Sequence, residues 1–164
     1  MAKVDLTAQR LRDLLHYDEE TGIFTNRVNR WSRGVAGRQV GNTMPQGYRR
    51  IGIDGRIYQA HRLAWLYVYG EWPKHCIDHI NGNKADNRIA NLRDVTVTTN
   101  TQNLKRARAD SGTGYMGVFP FKGKYISYIR HEGRRIYLGL FDDPQEGSRV
   151  YLEAKRKLHS GNTL

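Results

Sequence analysis

Residues 76–103 read CIDHINGNKADNRIANLRDVTVTTNTQN, and the parsing of this stretch decides what the chain is built around. Residues 76–80 alternate as a short strand, with Ile77 and His79 on one face and Asp78 on the other. A loop rich in Gly and Asn follows over 81–91, and residues 92–95 can form a second strand. Thr96 or Thr98 can then cap a polar helix that continues to the neighbourhood of Arg108. Asn81, Asn83 and Asn87 read as turn residues, because Asn tolerates left-handed backbone and bonds its own main chain.

An acid–histidine pair in such a frame suits hydrolysis of a phosphodiester. That reaction needs a base to deprotonate water, a cation to offset the developing charge, and a group that orients the base. His79 is the candidate base, since imidazole titrates near working pH. Asp78 offers oxygen, which a hard cation such as Mg2+ prefers. Asn91 follows His79 by 12 residues and Asn100 follows it by 21. If the chain runs strand, loop, strand, helix, Asn100 on the helix can face Asp78 across the site. Asn91, where the second strand begins, can bond the imidazole. A lone Asp-His pair is ordinarily a surface pair. Its conjunction with Asn91 and Asn100 at these spacings suits an active site.

Upstream, LTAQRLRDLLHY (6–17) has Leu11, Leu14 and Leu15 at helical spacing, with Asp5 or Thr7 as N-cap. GIFTNR reads as a strand, and residues 29–47 as a loop with one short strand near 38–40. YRRIGIDGRIYQA (48–60) is a hairpin in which Asp54-Gly55 supplies a type I′ turn. HRLAWLYVYG (61–70) is a mostly buried helix closed by Gly70, with His61 a structural residue at its start. Arg27, Arg30, Arg33, Arg38, Arg49 and Arg50, with Trp31, form either a DNA-contacting surface or a solvated basic face. Downstream, RADSGTG (108–114) is a linker by composition. Strands at 116–120, 125–131 and 135–140, joined by hairpins containing Gly, precede a helix over 144–159.

In the C-terminal sheet, alternation sets Arg135, Tyr137 and Gly139 opposite Ile136, Leu138 and Leu140. One face is apolar enough to receive the helix bearing Val150, Tyr151, Ala154 and Leu158, and the other is basic and aromatic. Lys124, Tyr128, Arg130, Arg135 and Tyr137 are the candidate DNA contacts. A three-stranded sheet can enter a major groove, where Arg reads guanine and Tyr packs on sugars and methyl groups.

Composition agrees with a polyanionic partner. The 164 residues hold 27 Lys and Arg against 16 Asp and Glu, a net charge of +11. The excess is spread along the chain: residues 1–104 carry 15 basic and 10 acidic side chains, and residues 105–164 carry 12 and 6. Hydrophobic residues make up 38%, which points to several small cores rather than one large core. The single Cys76 leaves no disulfide framework and no thiolate zinc site. The first 15 residues lack a signal-peptide core and no apolar run approaches membrane-spanning length, so the expectation is a cytoplasmic monomer with no membrane role.

The stretch DHINGNKADNRIANLRDVTVTTNTQN, with HRLAWLYVYGEWP before it, resembles phage and intron HNH homing endonucleases over about 30 residues. Residue by residue, the resemblance implies His79 as general base and Asp78 as metal ligand. It makes Asn91 the central asparagine and Asn100 the second metal ligand. Asn100 stands where histidine is more common, and an amide oxygen favours Mg2+ or Mn2+ over zinc or nickel. The pattern GYMGV…GKYISYIR…GRRIYLGLFDDPQEGSRVYLEAKRKLHSG resembles the plant ethylene-response-factor (Apetala-2) DNA-binding domain over about 114–161. Arg130, Arg135 and Tyr137 match that pattern, whereas Met116 and Phe119 stand where plant members carry groove-reading arginines.

The expected class is α+β, with a small N-terminal α/β region (1–60) and a ββα-metal HNH module (61–108). A linker (109–113) and a three-stranded antiparallel sheet plus helix (114–164) complete it. The implied function is metal-dependent endonucleolytic cleavage of double-stranded DNA, mainly by nicking, with Mg2+ or Mn2+ as cofactor. If the gene is phage-borne, the compartment is the cytoplasm of a bacterial host. A DNA-binding regulator with a vestigial HNH unit is the alternative. RNA binding or cleavage is disfavoured by the groove-reading sheet.

Overall fold

The computed structural model describes residues 5–29, 34–104, 107 and 111–159. Arg30, Trp31 and Arg33 of the basic loop, and Arg108, lie outside the described residues. Mixed helices and short antiparallel sheets make an α+β chain that divides into two compact units, Met1–Thr96 and Val97–Leu164.

In the first unit, α1 (Ala8–Leu14) is capped by Thr7, whose Oγ1 accepts from Arg10 N at 3.1 Å. The helix stops at Leu14 instead of reaching Tyr17. Residues Leu15–Asp18 form β1, paired antiparallel with β2 (Ile23–Asn26). Leu15 and Tyr17 flank an exposed His16, so a two-residue period buries both apolar side chains while the backbone bonds to β2. β3 (Asn42–Thr43), β4 (Arg49–Ile53) and β5 (Arg56–Gln59) form a sheet in that order. Asp54 and Gly55 both have positive φ, 48° and 76°, as a type I′ turn requires. The strand expected near 38–40 is reduced to one bridge, Thr25 with Gln39. α2 (Ala60–Tyr69) ends on left-handed Gly70.

β6 (Cys76–His79) and β7 (Leu92–Val95) pair antiparallel, with Asp78 opposite Arg93 and His79 opposite Leu92. Side chains from α1, β1, β2, β4, α2, β6 and β7 share one core, which includes Leu11, Phe24, Ile51, Leu63, Ile77 and Leu92. The N-terminal region is thus the floor on which the β6–β7 hairpin rests. Of the basic residues on this side, Arg49 turns onto the carbonyls of Val40 and Gly41, and Arg27 onto that of Arg12.

The second unit begins with α3 (Val97–Gln102), far shorter than the helix expected to run to Arg108. β8 (Val118–Phe121), β9 (Lys124–His131) and β10 (Arg134–Phe141) form a meander, followed by α4 (Pro144–Leu158). Asp143 caps α4 by accepting from Gln145 N at 2.9 Å, and Pro144 sits in its first turn. Gly117 (φ 70°) lies so close to the Tyr151 ring that no Cβ would fit. Within the expected linker, the described residues fold onto β8: Thr113 Oγ1 donates to Val118 O at 3.1 Å. Among the described residues, no helix is long and apolar enough to cross a membrane.

Candidate active site and a basic, aromatic sheet face

Asp78 and His79 sit on neighbouring positions of β6 and are only 6% and 5% exposed. Two deeply buried polar side chains in sequence demand partners, because an unsatisfied buried charge or imidazole is costly. Asp78 finds Arg93 across the hairpin: Arg93 Nε and Nη2 both donate to Asp78 Oδ2, at 2.9 and 2.7 Å. On the other face of β6, the His79 ring meets His61 of α2 edge-on, with centroids 5.1 Å apart. Tyr48 packs against both imidazoles, at 5.4 and 6.0 Å.

His79 Nε2 lies 3.3 Å from Asn87 Oδ1, and Asn87 is 1% exposed. Asn87 Nδ2 is committed to Ala85 O at 3.2 Å, which fixes the amide with its oxygen toward the ring. With the Asn87 oxygen facing it, Nε2 is the ring nitrogen suited to carry the proton of a neutral imidazole. Burial lowers the His79 pKa, against the opposing pull of Asn87, Asp78 and Asp86. Burial thus favours the neutral ring, the form a base needs. His61 is driven down further, to about 3, by burial and then by the charge it would share with His79.

Asn91 has a different task from the one expected. Its Oδ1 accepts from Asn81 N at 2.9 Å and its Nδ2 donates to Asp86 O at 2.8 Å. The amide is committed at both ends to the backbone of the loop it closes, so Asn87 takes up the imidazole contact. Asn81 and Asn83 do make turns, accepting from Asn83 N and Ala85 N. Asp86 is held near pKa 2 by Arg88, with Asn81 and the Arg88 backbone adding hydrogen bonds. From below, Tyr17 Oη donates to Asn87 O at 2.7 Å. Gly22 (φ 71°) approaches the 87–88 peptide so closely that a Cβ would stand 2.5 Å from Arg88 N.

Asp78, His79 and Asn91 thus belong to one hairpin, while Asn100 lies half-buried on α3 in the second unit. Among the described residues, no three His, Cys, Asp or Glu side chains converge to hold a metal ion. Asp78 places a buried carboxylate on β6, and Mg2+ is commonly held by one or two carboxylates together with substrate phosphates. That donor chemistry fits a hard cation.

In the second unit, Lys124, Tyr128 and Arg130 share one face of β9, and Arg135 and Tyr137 are the cross-strand partners of Arg130 and Tyr128. All five candidates therefore lie on the face turned from α4. A register shift between Tyr137 and Gly139 breaks the expected alternation on β10. Gly139 becomes the partner of buried Ser127, and Leu140, expected beneath the helix, is 45% exposed opposite Ile126. Phe119 stacks on Tyr128 with centroids 4.6 Å apart, and the Arg135 guanidinium lies 4.2 Å from the same ring. Lys124 is tied to Asp142 at 2.9 Å.

Sequence reasoning missed Arg93, Asn87, Tyr17 and Gly22. Arg93 had a signal: antiparallel pairing of 76–80 with 92–95 sets it near Asp78. Tyr17 and Gly22 act through contacts distant in sequence, and Asn87 through the way its loop folds back onto His79.

Residues 58–102 match the family model described as HNH endonuclease. Over 74 residues the chain is 34% identical to DNA endonuclease I-HmuI of Bacillus phage SP01, covering 42% of each chain. It is 35% identical over 74 residues to the SPbeta prophage-derived protein YosQ of Bacillus subtilis (strain 168), named as an HNH homing endonuclease, covering 42% of this chain and 43% of that one. The chain thus spans less than half the length of these curated relatives. A solved structure, "DNA binding and cleavage by the HNH homing endonuclease I-HmuI", is similar at 22% identity and a TM-score of 0.44, covering 90% of this chain and 88% of that one. Residues 58–102, the segment similar to HNH endonucleases, include Asp78, His79, Asn91 and Asn100.

Proposed function

We propose that the chain is a metal-dependent DNA endonuclease of the HNH homing type, and that it mainly nicks double-stranded DNA as a monomer. The observation that carries this reading is the buried His79 imidazole, held at Asn87, at the position of β6 next to the buried carboxylate of Asp78, within the HNH-like segment. His79 takes the proton of the attacking water, and Asn87 holds the ring through its contact with Nε2. Asp78 would hold Mg2+ or Mn2+, which when bound stabilises the charge on the phosphoryl oxygens and on the departing 3′ oxygen. The products are a 5′-phosphate and a 3′-hydroxyl. Asn91 keeps the 80–91 loop closed over this chemistry.

The second unit acts as an Apetala-2-like DNA-binding module. The Phe119–Tyr128–Arg135 stack beside Arg130 and the largely exposed Tyr137 supports this, since stacked rings and guanidinium groups suit sugars, base edges and phosphates. Arg130→Ala and Arg135→Ala should each cost about 1–3 kcal/mol at one position of the target if they read bases. Uniform weakening on all sequences with a flatter salt dependence would make them phosphate contacts instead.

A single base and a single cation site break one strand per docking event. On supercoiled plasmid with Mg2+, open circles should accumulate before linear molecules, at a rate first order in protein, and EDTA should stop the reaction. Linear product without a nicked intermediate, or a rate rising with the square of concentration, contradicts the monomeric nickase. Tight DNA binding with no Mg2+-dependent cleavage would favour a regulator with a vestigial HNH unit.

A further inference from the structure

We infer that Arg93 is a positioning residue that orients the Asp78 carboxylate for cation binding. This rests on the reading in which Asp78 is a metal ligand. The β6–β7 register sets Arg93 directly opposite Asp78, so the pairing is built into the hairpin. Nε and Nη2 converge on one carboxylate oxygen, Oδ2, at 2.9 and 2.7 Å, within the range of charge-assisted bonds. A carboxylate gripped through one oxygen by two donors cannot turn about its terminal torsion. A single flexible ammonium in the same place would leave that rotation open. The Asp78 side chain is 7% exposed and that of Arg93 26%, so the grip works in a water-poor setting where such bonds are strong. β6 and β7 are already joined by their backbone ladder, so the ion pair is more than their pairing requires. Its specific consequence is the fixed attitude of Asp78.

Mn2+ titrated into the full-length chain without DNA, followed by water-proton relaxation, tests this apart from cleavage. Arg93→Ala should weaken Mn2+ binding about 10- to 100-fold, the usual effect of removing a hydrogen-bond partner of a ligating group. Arg93→Lys should fall between the two, since it keeps charge and a donor but loses the double grip. Melting curves on the same samples separate this from unfolding. If Arg93→Ala does not fold, Arg93→Lys decides: weakened Mn2+ binding by folded protein supports the inference, and wild-type binding overturns it. Folded Arg93→Ala that binds Mn2+ as tightly as wild type overturns the inference and leaves the nuclease reading standing. Wild-type chain that takes up no Mn2+ either in this titration or with a DNA duplex bound removes Asp78 as a ligand, and the role of Arg93 with it.

Discussion

His79→Ala is expected to slow DNA cleavage by about 10²-fold or more, the scale of losing a general base, while affinity for DNA stays as in wild type. The separation of the two effects follows from the site. The imidazole is 5% exposed and bonded to Asn87, so it is placed for proton transfer and offers little surface to a duplex. Removing the ring also empties space beside His61 and Tyr48, so some loss of stability accompanies the variant. Rates are therefore compared well below its melting temperature. Equal losses of binding and cutting would make His79 a structural residue and leave the site without its base.

The second large effect is expected far from the reacting atoms in sequence. Gly22→Ala should destabilise the first unit by about 3 kcal/mol, because a left-handed alanine is strained and its methyl group has no room. The obstacle is backbone: Arg88 N and Asn87 C stand 2.5 Å from where the Cβ would lie. Relief requires the β1–β2 turn or the 87–88 peptide to move, and the latter carries the side chain that orients His79. The melting temperature should fall by about 15 °C for a unit of this size. Cleavage by the folded variant should fall about 10-fold or more, since small misplacements of catalytic groups are expensive. Unchanged melting would mean the turn yields freely, and unchanged cleavage in a destabilised protein would uncouple the turn from His79.

That coupling was not legible in the sequence, for a physical reason. Tyr17 and Asn87 are 70 residues apart, and only the shared core brings β1 beneath the loop. Local signals were legible where turn chemistry and periodicity agreed. Asp54-Gly55 between alternating isoleucines gave the β4–β5 hairpin, and Pro144 after Asp143 gave the start of α4. They failed where two periods coincide over few residues. Leu14, Leu15 and Tyr17 satisfy both a helix and a strand, and strand pairing to β2 decided between them. They failed again on β10, where the bulge beside Gly139 reversed an alternation counted along the strand. Within the site, Asp78 and His79 were chosen by their chemistry. The choice between Asn87 and Asn91 for the imidazole depended on how the loop folds back, which spacing alone does not determine.

The proposed chemistry leaves a specific mark on its product. Water attacking phosphorus, with the 3′ oxygen leaving, produces a nick with a 5′-phosphate and a 3′-hydroxyl. Supercoiled plasmid incubated with the full-length chain and Mg2+, quenched with EDTA, repurified and then treated with DNA ligase measures this directly. Open circles that form only with Mg2+ and are sealed by ligase without prior end repair are the predicted result. Plasmid left intact, or nicks that ligase cannot close, would contradict hydrolysis directed by His79.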